Sequence, residues 1–352
     1  MSLPPGTTGQ WDGLQSGSVP RALRRGLLDD GLLSHEEVVD IIRSTLSNGI
    51  VSASEQHDLA LVASRSRSIP PRSRKMLQTF VDALKHYGGP YRLISPRQIF
   101  AADLACDFLN RSGRSSFPKL DRDDIGVGML MRIANPGILR QGDASLCGPA
   151  ALLFSKLSDN PGEYVRFAID LYERGTAKMG RLLIEPGKDI RNYLPPVSAI
   201  APIDWMTMAS IRDSENWFLD YDNADKEFAG ITMPGELAQW FRLAGYSDVR
   251  EETNLYFRKG AGTVDDTNKL FNQGYRICVF INAQMLEATE QTETSRHADH
   301  WVVLRSPIAR SGDNVSLKVF TWGQGEYQIP QRGDLSVHDF LNNFYGYVAG
   351  KP

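Results

Sequence analysis

A chain of 352 residues has enough length for one large domain and a smaller one with ample core, and its formal net charge of -3 leaves no basic footprint for a nucleic-acid partner. No apolar run approaches the roughly 18 residues of a membrane span, and the Gly, Pro and Ser-rich start from Met1 to Ser18 has neither the basic nor the apolar part of a leader peptide. The expectation is a soluble protein, cytoplasmic at synthesis with no signal peptide, whose export would require a specialised secretion system.

Composition divides the chain into a disordered N-terminus over 1–20, a helical accessory region over 21–124, and a second domain over 125–352. The accessory region is broken by basic Ser/Pro stretches such as Arg65 to Arg72. It holds a weak repeat at a period of 18: Asp30-Gly31 and Asn48-Gly49 are each followed by a hydrophobic residue, then by Ser34 and Ser52, with Glu37 and Glu55 six residues after the glycine. That resembles the latter half of an EF-hand loop, but Gly26, Leu28, Ser44 and Leu46 stand where its first carboxylates belong. The simpler reading is a pair of helix caps, Ser34 and Ser52, each with Glu three residues on, and no calcium. Leu77, Phe80, Val81 and Leu84 define a packing helix over 74–86, and Cys106 reads as core in a further helix.

The segment Gln141-Gly142-Asp143-Ala144-Ser145-Leu146-Cys147-Gly148-Pro149-Ala150 carries the most chemistry. Ala150, Leu153, Phe154 and Leu157 recur at helical spacing, and Pro149 suits a first turn that lacks N–H partners, so Cys147 sits at a helix mouth. Free N–H groups and the positive end of the helix dipole favour thiolate there, the reactive form. The Cys147 N–H and the Gln141 carboxamide are candidate donors to an oxyanion.

Further along, Tyr164, Phe167, Ala168 and Leu171 make a helix ended by Gly175, and Leu237, Trp240, Phe241 and Ala244 another ended by Gly245. Asp220 to Asp225 is an acidic loop, read as a solvated turn or a rim favouring basic substrates, and Gly260-Ala261-Gly262 reads as a linker. After Gly274 the pattern turns to strands at 277–281, 301–304, 315–321 and 327–329, and a helix from Ser336 to about Tyr347 closes the chain. Cys278 alternates into the first of these strands as core. His297 and His300 lack the further ligands of a zinc site. No metal or other cofactor is expected.

A Gln six residues before a Cys that opens a helix, and a late strand led by His (His300-Trp301-Val302-Val303-Leu304) after a helix ended by Gly274, resemble the papain-like cysteine peptidases. The Cys-Gly-Pro-Ala form is similar to the bacteriocin-processing branch. The resemblance covers Gln141 to Gln328. It implies an α+β fold in which the Cys helix packs on an antiparallel sheet, preceded here by the helical N-terminal region. It implies catalysis by Cys147 as nucleophile and His300 as base, with Gln141 at the oxyanion, acting on a protein or peptide substrate through a thioester. The fold also serves glutamine deamidases, peptidoglycan amidases and acyltransferases, and an inactive binding protein is the rival from another class. By analogy with delivered bacterial toxins, an antibacterial or host-directed effector with a cognate inhibitor or immunity protein is a further expectation. The family's usual Asn or Asp after the His strand is missing: aligning Thr321-Trp322-Gly323 with papain's Ser-Trp-Gly puts Phe320 at that position. Pairing across a turn at Ser311 to Asn314 brings His300 near Thr321 to Gly325, so Thr321 and Gln324 are the orienting candidates, beside a plain Cys/His dyad.

Overall fold

The computed structural model describes residues 11–352 except 29, 65–68, 88, 143, 197, 216–230 and 288–297. The acidic loop at 220–225, His297, Asp143 and the basic stretch 65–68 lie outside the described residues.

Six helices open the chain: α1 (Ser18–Gly26), α2 (His35–Leu46), α3 (Ala53–Ser64), α4 (Pro71–His86), α5 (Pro96–Asn110) and α6 (Arg122–Ala134). Ser34 accepts from the Glu37 N–H while Glu37 accepts from the Ser34 N–H at 2.6 Å, a reciprocal cap on α2. Ser52 and Glu55 repeat it before α3. Of the stretch assigned above to a disordered N-terminus, residues 11–20 are ordered by a few contacts, with α1 starting at Ser18 and Val19 buried. Trp11 is buried, and the Gln15 and Ser16 N–H groups each donate to the buried carboxylate of Asp58 at 2.8 Å, which fixes the entry to α1. The boundary drawn at 124 falls inside α6. One apolar cluster runs from Trp11 through Phe80, Phe108 and Leu130 to Leu153 and Trp301, so the early helices and the later elements share a core.

Next come α7 (Cys147–Asp159) and α8 (Pro161–Arg174), a two-stranded ribbon of β1 (Ala177–Met179) and β2 (Leu182–Ile184), and then α9 (Lys188–Arg191), α10 (Pro202–Glu215) and α11 (Pro234–Leu243). Gly175, at φ +74, closes α8 in the left-handed conformation that glycine adopts without strain. The remainder is β3 (Ser247–Thr253), α12 (Ala261–Asn272), β4 (Arg276–Ile281), α13 (Gln284–Glu287), β5 (His300–Leu304), β6 (Ala309–Ser311), β7 (Asn314–Phe320), β8 (Tyr327–Ile329), α14 (Val337–Asn342) and β9 (Phe344–Lys351). The supposed linker Gly260-Ala261-Gly262 is the N-terminal end of α12.

The chain is mixed α+β, with a curled antiparallel sheet in the order β3-β9-β4-β5-β7-β6 and β8 also on β7. Helix α7 packs on β5. The sheet separates two apolar layers. Trp301, Val303, Cys278, Phe280 and Phe320 face α7, while Val302, Leu304, Val279, Leu317 and Val319 fill the other side under α12 and α14, as strand alternation requires. The closing helix ends at Asn342 rather than near Tyr347, and the residues after it form β9, buried from Phe344 to Gly350 between β3 and β4. Val337, Phe340, Leu341 and Phe344 happen to keep helical spacing, and a strand covered on both faces shows no alternation to contradict it. Among the described residues, no helix is long and apolar enough to cross a membrane.

Candidate active site

The Cys147 end of α7 is held by its flanking loop. Leu146 N–H and the Gln141 Nε2 both donate to the Ala144 carbonyl, at 2.8 and 3.2 Å, which folds 141–146 onto itself. Gly142, at φ +62, passes so close to the Ala199 carbonyl that a Cβ there would lie 2.7 Å from it. Just before, the Arg140 N–H donates to Asp204 (3.0 Å), whose carboxylate is clamped by Arg132 in a buried ion pair. The turn at Gly323 (φ +70) rests on Arg140 and the Leu139 carbonyl. This contact ties the loop bearing Gln141 to the turn that follows Thr321.

Cys147 is 5% exposed, within a helix buried continuously from Cys147 to Leu157. Burial pushes its thiol up. The backbone N–H groups of Trp301, Gly148 and Cys147 itself, with the charge of Arg212, pull the other way without prevailing. The thiolate expected at a helix mouth is therefore not the resting form, because desolvation outweighs the helix-terminus donors. Both other cysteines are also buried and pushed up to about 12 by desolvation, Cys106 in α5 and Cys278 in β4. Of the three, only Cys147 has backbone donors opposing its burial.

His300 opens β5, 5% exposed, with its Nε2 2.7 Å from the Thr321 Oγ1. The strands explain the pairing. Val303 lies opposite Phe320 and Leu304 opposite Val319, so His300 falls near Gly323, diagonal to Thr321. His300 shares the parity of Val302 and Leu304, and Thr321 that of Leu317 and Val319, so both side chains emerge on one face. Phe320 emerges on the other and stacks on Phe154 of α7 at 4.1 Å. The alignment that set Phe320 against the imidazole was thus one residue out of step. Gln324 is exposed, and its N–H only closes a turn onto the Thr321 carbonyl at 3.2 Å. The Trp322 ring lies 5.4 Å from the imidazole. Burial lowers the His300 pKa to about 4.

The next residue, Trp301, has a main-chain N–H near enough to the Cys147 sulfur to favour its thiolate, and its indole N–H donates to the Thr232 carbonyl (2.8 Å). The structure thus sets the His300–Trp301 peptide against the thiol. By the same parity the imidazole emerges on the sheet face away from α7, opposite Ile281 and beside Trp322, and no hydrogen bond joins sulfur and imidazole among the described residues.

Three participants carry no legible pattern in the sequence. Thr232, fully buried, sits on the first turn of α7 so tightly that a Cβ on Gly148 would meet its Oγ1 at 2.2 Å. Arg212 reaches Thr232 Oγ1 at 3.4 Å and Glu236 at 3.9 Å. Trp301 contributes a main-chain group, which no side-chain motif reports. The only cue is the glycine after the cysteine, which signals a close approach without naming the neighbour. Comparison with protein-family models, curated proteins and solved structures finds no match.

Proposed function

We propose that this chain is a papain-like cysteine hydrolase that cleaves an amide bond of a protein or peptide. The observation that carries the reading is the meeting of α7 and β5: a thiol at a helix mouth, main-chain N–H groups of Gly148 and Trp301 near enough to favour its thiolate, and on the abutting strand, though on its other face, a histidine held by Thr321. In this reaction His300 accepts the Cys147 proton as sulfur bonds to the substrate carbonyl carbon. The oxyanion takes donors from the Cys147 N–H and from the Gln141 amide hydrogen not engaged by Ala144. The C–N bond then breaks, His300 returns its proton to the departing amine, and water, deprotonated by the same imidazole, cleaves the thioester. With the thiol pushed up and the imidazole down by burial, both partners rest neutral, and proton transfer requires the imidazole to turn from the far face of the sheet toward the sulfur.

Glutamine deamidation, peptidoglycan amide hydrolysis and acyl transfer share the thioester stage and differ in the acyl donor and the final acceptor. Burial of both Cys147 and His300 is the observation that favours the rival reading, an inactive binding protein on the same scaffold. One experiment divides them. Active chain and Cys147→Ala are expressed in parallel, and new protein N-termini are mapped by mass spectrometry, with a thiol-reactive amide mimic labelling the purified chain. We expect termini that depend on Cys147 and labelling of Cys147 over Cys106 and Cys278. Identical termini in both samples with no selective labelling would leave the binding protein.

A further inference from the structure

Away from Cys147, at the far end of α7, two cavities of about 730 and 490 Å³ share Arg97 and Asp159 and so form one groove where α5 meets α7, α8 and the sheet. Its walls mix apolar and polar side chains, with Asp159 and Glu163 among the latter, and arginines stand at its edge. In the larger half, Phe154, Leu157 and Leu304 lie below Ile94, which is 85% exposed. In the smaller half Phe100 is 50% exposed. Two large apolar side chains left in water, one in each half of the concavity, mark an interaction site more than a packing surface.

The charges separate into spent and available. Lys156 pairs with Glu163 at 2.6 Å and donates to the Ala244 carbonyl at 2.8 Å, and Arg276 is bound by both oxygens of Asp159. Three guanidiniums remain around the opening. Among the described residues Arg97 donates to the Asp159 carbonyl at 3.2 Å, Arg166 lies over the Phe100 ring at 5.3 Å, and Arg305 lies over Phe154 at 5.6 Å with Glu326 3.9 Å away. Guanidiniums held against aromatic faces stay free to form planar paired bonds with carboxylates.

We propose that this groove receives an acidic peptide segment of a partner protein, anchored by apolar side chains against Ile94 and Phe100 and by carboxylates on Arg97, Arg166 and Arg305. Three features select this occupant. The cavity volume exceeds what a single small anion fills, the concave shape excludes a flat lipid surface, and three guanidiniums beside exposed Ile94 and Phe100 complement a chain that carries both acidic and apolar residues. The proposal does not depend on the chemistry at Cys147.

The test uses the full chain and a random dodecapeptide display library, with the doubly charge-reversed Arg97→Glu/Arg166→Glu chain as counter-selection. Both arginines are exposed, so the variant should keep the wild-type circular dichroism and melting profile. The expected result is enrichment of peptides rich in Asp, Glu, Leu and Phe. Their affinity, read by fluorescence anisotropy, should fall at least tenfold in the variant and again when salt rises from 50 to about 500 mM, as screening of rim charges requires. Replacing Glu by Lys in a selected peptide should abolish binding. Enrichment without acidic residues, equal affinity for the folded variant, or binding of anionic vesicles in place of peptides would each overturn the proposal.

Discussion

Thr321→Val removes the side chain that, among the described residues, hydrogen-bonds the imidazole, while keeping the β-branched shape of a residue only 2% exposed. If Nδ1 is the nitrogen that accepts the thiol proton, Nε2 carries its hydrogen and donates to Thr321 across 2.7 Å in the resting state and throughout the reaction. The rate effect is therefore the growth of this bond as imidazolium forms, not its whole strength. A neutral hydrogen bond contributes about 0.5–1.5 kcal/mol and one to a charged group about 1.5–3 kcal/mol. The difference, on the order of 1–2 kcal/mol, corresponds to a roughly 5- to 30-fold loss of kcat/KM. His300→Ala removes the base itself and should cost on the order of a hundredfold to ten-thousandfold. The measurement is kcat/KM on a peptide spanning a cleavage site found by N-terminal mapping, with thermal melts to confirm folding and Gln324→Ala as the exposed comparison. The reasoning fails if folded Thr321→Val keeps full kcat/KM, or if Gln324→Ala loses more than Thr321→Val.

Two further outcomes follow from the same site. Stability should fall on acidification between about pH 6.5 and pH 4. The unfolded His300 protonates near its ordinary value of about 6.5 and the folded one only near 4, so the unfolded state binds the extra proton in that window and the penalty is complete below it. About 1.4 kcal/mol per pH unit gives roughly 2 kcal/mol lost between pH 6.5 and 5, read by urea unfolding, and His300→Gln should lack that increment; an identical acid loss in both would contradict the buried neutral imidazole. Gln141→Ala should reduce turnover on the order of a hundredfold to a thousandfold if the carboxamide serves the oxyanion, while alkylation of Cys147, which forms no oxyanion, stays near wild type; a parallel fall in both rates would assign Gln141 to holding the loop.

Local pattern carried much of the architecture. The helix beginning at Cys147, the glycine-ended helices closing at Gly175 and Gly245, and the strands at 276–281, 300–304 and 314–320 stand where apolar spacing put them, because each buries one continuous stripe or alternating face that a few neighbouring residues suffice to define. Ser34 and Ser52 were legible for the same reason, since a cap is made within four residues. The closing strand was not legible. Whether 344–351 coils or extends was decided by a vacancy between β3 and β4, contributed by residues about 65 to 105 positions away, and Gly346, at φ +111, lets Glu252 pass where a Cβ would meet its carbonyl oxygen.

The candidate site divides in the same way. The sequence by itself named Cys147, His300 and Gln141 and narrowed the orienting group to Thr321 or Gln324, since residue type and order survive without coordinates. Tertiary structure chose between the last two, because parity across β5 and β7 sends Thr321 to the imidazole and Phe320 to Phe154. It also reversed the electrostatic expectation at the thiol. A helix terminus is a local feature that lowers a thiol's pKa, but desolvation depends on everything packed around the sulfur, and Thr232 and Trp301, some 85 and 154 residues downstream, close over Cys147 and its first turn.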